Sequence, residues 1–220
     1  LNSQMRLGEY NEELESYSGL FQLDGMDYCY NVSRYSQRFE LREWPKGKLV
    51  DGKGAEYWGD RACGLACLRM IFSHYGKTVP SQYELLNQAL KRRAYSPKGW
   101  IHQGLADLGE IYGLSAASIA IENATQLQLV LQITGPLIVS ITHKFPEDGR
   151  RGGHLVVVCG RHKGPEPTIT FRDPSRWGAN NSTVSEKRFF SSFSKRAICF
   201  NPEAQKVKKA ISWLEKYNKQ

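Results

Sequence analysis

Cys63 opens an apolar run, Cys63-Gly64-Leu65-Ala66-Cys67-Leu68-Arg69-Met70-Ile71, and His154 opens another, Leu155-Val156-Val157-Val158. The first has the periodicity of a buried helix and the second the β-branched content of a strand. A thiol attacks carbonyl carbon only as the thiolate, a form favoured by the free N–H groups of a helix N-terminus and by an adjacent imidazolium. A histidine at a strand start, after the flexible approach Arg150-Arg151-Gly152-Gly153, is placed at a sheet edge where a cleft can form. Together the two residues are the halves of a cysteine-histidine nucleophilic pair, and covalent acyl chemistry is the leading reading. Asp173 follows the strand-like Thr168-Ile169-Thr170-Phe171-Arg172 and precedes Pro174, which cannot continue a ladder. A carboxylate there is a candidate to accept the second imidazole N–H and stabilise the charged ring.

Each residue also has a plainer reading. A lone cysteine is commonly inert packing, a lone histidine a satisfied structural residue, and Asp-Pro-Ser an ordinary turn. Cys67 lies one helical turn after Cys63, which raises a metal or redox pair, but such sites favour a two-residue spacer and no second ligand pair follows; Cys67 reads as core, and no metal or cofactor is expected. His74, His102, His143 and His162 have poorer settings, with His74 and His162 expected at the surface.

The elements that must carry these groups follow from periodicity and punctuation. The helix from Cys63 should stop at Gly76, and Ser81-Gln82-Tyr83-Glu84 has capping-box spacing for a second from about Gln82 to Arg92. A third helix is predicted over Trp100 to Tyr112, a strand over Ser118 to Ile121 and a helix over Thr125 to Ile133. Strands are predicted over Leu137 to Ile141, His154 to Cys159, Thr168 to Arg172 and Ala197 to Phe200, then a final helix from Pro202 to Tyr217. Helices first and strands later predict an α+β fold, helices packed on an antiparallel sheet. Residues 1–50 read as an N-terminal extension, with Phe21-Gln22-Leu23 and Phe39-Glu40-Leu41 as a candidate hairpin, residues 51–200 as the catalytic domain and 201–220 as a C-terminal helix.

The chain has 220 residues, 40% hydrophobic and 24% charged, enough for one sizeable core. No apolar run approaches membrane-spanning length and the first residues lack the pattern of a secretory signal, so a soluble protein is expected. Five cysteines at scattered spacing argue against a disulfide framework and for the cytoplasm. The net charge of +8 favours acidic partners, but the basic residues are dispersed and no nucleic-acid motif accompanies them. Oligomeric state leaves no mark in the sequence.

The pieces Cys63 to Ile71, His74-Tyr75-Gly76, His154 to Gly160 and Asp173-Pro174, in that order, resemble the bacteriocin-processing, papain-like cysteine peptidases that cleave leader peptides after a double glycine. The resemblance spans roughly residues 55 to 200 and implies a papain-like fold, Cys63 as nucleophile, His154 as base and later acid, and Asp173 as the orienting residue. One position departs from it. Those peptidases carry an oxyanion-binding glutamine six residues before the nucleophile, where this chain has Tyr57, flanked by Glu56 and Trp58. Loss of such a donor costs on the order of 3 kcal/mol of transition-state stabilisation unless another group replaces it. Tyr57 and Trp58 are therefore candidates for the oxyanion donor or for the cleft wall. The sequence also lacks the membrane and nucleotide-binding portions of exporters, so a free-standing peptidase is expected. Two alternatives stay open: an amide-forming acyltransferase using a carrier-bound thioester, for which an acidic carrier protein would suit the charge, and an inactive module that binds a leader peptide.

Overall fold

The computed structural model describes residues 28–219. In chain order these form β1 (Tyr28–Cys29), α1 (Ala55–Gly59), α2 (Cys63–His74), α3 (Gln82–Lys91), β2 (Tyr95–Ser96), β3 (Gly99–Trp100), α4 (His102–Ile111), β4 (Ser115–Ala120), α5 (Ala124–Thr134), β5 (Leu137–Ile141) and β6 (His154–His162). They continue with β7 (Thr168–Arg172), a short 3-10 turn (Trp177–Ala179), β8 (Thr183–Ser185), α6 (Glu186–Ser192), β9 (Phe193–Asn201) and α7 (Ala204–Tyr217).

The main sheet runs β4-β9-β5-β6-β7-β8, with β1 joined to the far half of β6, and every pairing is antiparallel. Strand side chains alternate between two faces. Ile138, Val157, Ile198 and Phe200 point into a core shared with α2, α3 and α4, whereas Val139, Val156, Val158 and Cys199 point into a second core shared with α5, α6 and α7. The sheet is thus covered on both faces, which explains why β5 is buried at all five positions and reads as a continuous apolar run.

The mixed helix and antiparallel-sheet architecture agrees with the sequence reading, and α2, α3, β5 and β7 fall within a residue or two of their predicted limits. Ser81 caps α3 by accepting the Glu84 N–H at 3.1 Å, as the capping box requires. Two expectations differ. Trp100 is not helical: Gly99, at φ +111°, reverses the chain so that Tyr95 faces Trp100 in a tight hairpin before α4 begins. Phe39-Glu40-Leu41 is turn and loop rather than strand, with the Phe39 and Trp44 rings in edge contact at 4.9 Å. The other half of that expected hairpin, Phe21 to Leu23, lies outside the described residues. Among the described residues no helix is long and apolar enough to cross a membrane.

Candidate active site

Cys63 is the first residue of α2, and no side chain caps that helix end, so its first-turn amides are left to the cleft. The helix is held over the sheet by close packing. Gly64 lies so near Trp100 and Leu105 that a methyl group there would come within 2.9 Å of the indole ring. One turn further along, the Cys67 thiol donates to the Leu155 carbonyl at 3.4 Å, tying α2 to the strand residue next to His154. Burial raises the Cys67 thiol well above its ordinary value, so it is a packed, protonated donor, in keeping with its reading as core.

His154 and Asp173 are brought together by strand register. Val158 faces Phe171 and Val157 faces Arg172 across β6 and β7; continuing that ladder sets Asp173 opposite Val156, on the same face as His154 and two residues away. The side chains meet there: His154 Nε2 bonds Asp173 Oδ1 at 2.9 Å, and the same oxygen accepts the Ser175 amide at 2.7 Å. Arg34 donates to the Asp173 backbone carbonyl at 2.7 Å and fixes the turn. Asp173 is completely buried and half-buried His154 borders the cleft. Cys63 stands on the wall of the same cleft and acts on the charge of the imidazole. The ring thus has the carboxylate bonded to Nε2 and the sulfur across the cleft it borders.

Electrostatics keep the imidazole charged. Burial pulls the His154 pKa down, but the hydrogen bond and charge of Asp173, with the neighbouring Cys63, outweigh it and raise the value to about 10. Burial pushes the Asp173 carboxyl up, and its bond to His154 reverses that, leaving it below its ordinary value. The His143 ring stands edge-on to His154 at 4.9 Å and bonds Ser175 Oγ at 3.0 Å. Its pKa is lowered, by burial first and then by the His154 charge, so the two rings share a single positive charge near neutral pH. His143, His154 and Asp173 present ligand atoms within 4.8 Å of one another, yet the His154–Asp173 bond occupies the facing atoms of two of them, and a cation there would have to displace the proton they share.

Cys63 and His154 border a cleft of about 350 Å³, whose other walls include Arg61, Tyr95, Lys98, Trp100, His102, Ser140 and Arg196. Neither Tyr57 nor Trp58 lines it. The Trp58 side chain is buried and its indole N–H is committed to the Val50 carbonyl at 2.9 Å, which removes it as an oxyanion donor. The Tyr57 ring lies beneath the Arg61 guanidinium, 3.8 Å from its carbon, and acts as a platform. Sequence reasoning passed over Arg61, Tyr95 and His143. The available signal was the four-residue spacing of Tyr57 and Arg61 on a helical turn, which sets a cation over a ring.

The arrangement can hold a thiolate next to an imidazolium whose far nitrogen is anchored, the requirement for cysteine acyl chemistry. Comparison with known proteins defines the class: the fold is papain-like, that of a cysteine peptidase domain. A profile of the Peptidase C39 family matches residues 59–205, and the chain belongs to that family. Among solved structures it is similar to the peptidase domain of Streptococcus ComA, a bi-functional ABC transporter involved in a quorum-sensing pathway, with 24% identity over 66% of this chain and 93% of that one and a TM-score of 0.50. It also aligns with a double-glycine-motif protease from an AMS/PCAT transporter in complex with its leader peptide, at 20% identity over 81% of this chain and 99% of that one, TM-score 0.48. The peptidase domain of Streptococcus mutans ComA aligns at 20% identity over 64% and 93% of the two chains, TM-score 0.43. No curated protein matches.

Proposed function

We propose that the chain is a cysteine peptidase that cuts a peptide through an acyl-thioester on Cys63, with His154 as base and then acid and Asp173 as the residue that orients and charges the ring. The observation that carries this reading is the cleft that Cys63 and His154 share, with the His154 Nε2 side anchored 2.9 Å from Asp173. The Cys63 thiolate adds to the scissile carbonyl and forms the C–S bond. The carbonyl electron pair moves onto oxygen, then returns as the C–N bond breaks, and the departing amine takes its proton from His154. Water, deprotonated by the now neutral imidazole, adds to the acyl carbon; the C–S bond then breaks, the acid leaves, and the thiolate and imidazolium are restored. Membership of the family and the motifs it shares support leader peptides cut after two glycines as the first substrate class to try.

The test is mass spectrometry of the intact protein and of its products after mixing with double-glycine peptides. A covalent adduct on Cys63, cleaved peptide, and loss of both in Cys63→Ala are expected. Cleavage that survives Cys63→Ala would remove the reading. Adding a free amine separates hydrolysis from acyl transfer, because a transferase would yield the amide.

A further inference from the structure

We propose that Arg61 takes the part of the missing side-chain donor: its guanidinium receives the negative charge that develops on the substrate carbonyl oxygen, opposite the backbone N–H of Cys63. The proposal rests on the acyl-thioester reading of Cys63.

Four observations support it. Arg61 lies two residues before Cys63, and its side chain borders the same cleft. It is fixed from two sides: the guanidinium carbon sits 3.8 Å over the Tyr57 ring, and Nη1 donates to the Tyr57 carbonyl at 3.0 Å, while Tyr95 lines the cleft with it. Tyr95 is itself wedged edge-on between Trp58 at 5.4 Å and Trp100 at 4.8 Å, and the Trp100 indole N–H holds the Arg61 carbonyl at 2.7 Å. A charge held in place before the reaction needs no reorganisation during it, which is where such donors gain their effect.

Third, among the described residues no carboxylate is ion-paired with Arg61; its neighbour Asp60 is paired with Arg38 instead. A guanidinium has five N–H groups, and the bond to the Tyr57 carbonyl leaves others for a ligand. Fourth, the competing donors are removed: the Trp58 N–H is occupied, and Tyr57 is not among the residues that line the cleft. Tyr57, at the position where the family resemblance expects an amide, thus supports a cation rather than donating itself.

The experiment compares two reactions of the same sulfur in wild type, Arg61→Ala, Arg61→Gln and Arg61→Lys. One is single-turnover acylation of Cys63 by a peptide that the wild type cleaves, which passes through an oxyanion. The other is alkylation by iodoacetamide, which does not. Arg61→Ala should slow acylation by about 10²–10³-fold while alkylation changes by less than about threefold, and Arg61→Gln and Arg61→Lys should recover part of the acylation rate. Equal losses in both reactions, or no recovery by either polar variant, would assign Arg61 to loop structure and overturn the proposal, as would unchanged acylation. Should Arg61→Ala melt below the assay temperature, Arg61→Gln carries the comparison. A wild-type chain that alkylates but is never acylated is a separate outcome, which removes the reading of Cys63 and this proposal with it.

Discussion

His154 is a half-buried ring on the cleft wall, kept charged first of all by its bond to Asp173. Its pKa, about 10, stands above the ordinary 6.5, so what the charge adds to stability is fully present below 6.5 and fades as pH rises toward 10. Asp173 is shifted the other way, below its ordinary 3.8, so its share is present above 3.8 and fades as pH falls through the lower folded value. Both shares are complete only between those two ordinary values. Asp173→Asn should therefore destabilise the protein most between pH 4 and 6.5, by about 3 kcal/mol from loss of a buried partner, and progressively less toward pH 10, as read from urea unfolding at stepped pH. A ring-proton NMR titration should show His154 in that variant releasing its proton at a lower pH than in wild type; an unmoved titration would remove Asp173 as the source of the charge. Cys63, His154 and Asp173 were legible in sequence because each stands at an element end, where periodicity stops and a polar side chain is conspicuous. Arg61 was passed over, since its four-residue spacing from Tyr57 is a weak signal for one basic residue among 30 until the ring is seen beneath it.

At the scale of elements, α2 is the part on which the site depends. Gly64 lets it approach Trp100, and Cys67 ties it to β6 beside His154. Gly64→Ala should overpack that contact and cost about 1–3 kcal/mol, visible as a lower unfolding midpoint, together with slower alkylation of Cys63 as the helix end shifts. If both quantities match wild type, the contact is softer than the geometry implies. Long helices with a steady apolar period, such as α2 and α3, could be read in advance, and so could β5, a short run buried throughout and bounded by Gly135-Pro136. Short ones could not: α1, α6 and β8 span five, seven and three residues, too few for a period to stand out from noise. The hairpin of Tyr95 and Trp100 was misjudged because Trp100 continues the apolar spacing of α4, and only the backbone conformation of Gly99 parts the two.

Across the whole molecule the sheet divides two cores, and the site sits at its edge between them: Cys63 packs on the first, and His154 shares its strand face with Val156 of the second. The strand runs that sequence showed as uniformly apolar gave no indication of which helix lies on which face, because residues buried on both sides do not alternate in type. Val207, Ala210 and Leu214 of α7 close the far core, away from the cleft. Leu214→Ala should cost about 2–4 kcal/mol in chemical unfolding and leave peptide turnover unchanged well below the midpoint; a large fall in turnover would show that the far face governs the site. The five sulfurs follow the same division. Burial holds Cys67 well above its usual value and drives Cys159 and Cys199 up to about 12, leaving exposed Cys29 and half-buried Cys63 open to water. Once Cys29 is changed to Ser, a mild alkylating reagent becomes a counting device: moles of tag bound per mole of chain give the active fraction of any preparation.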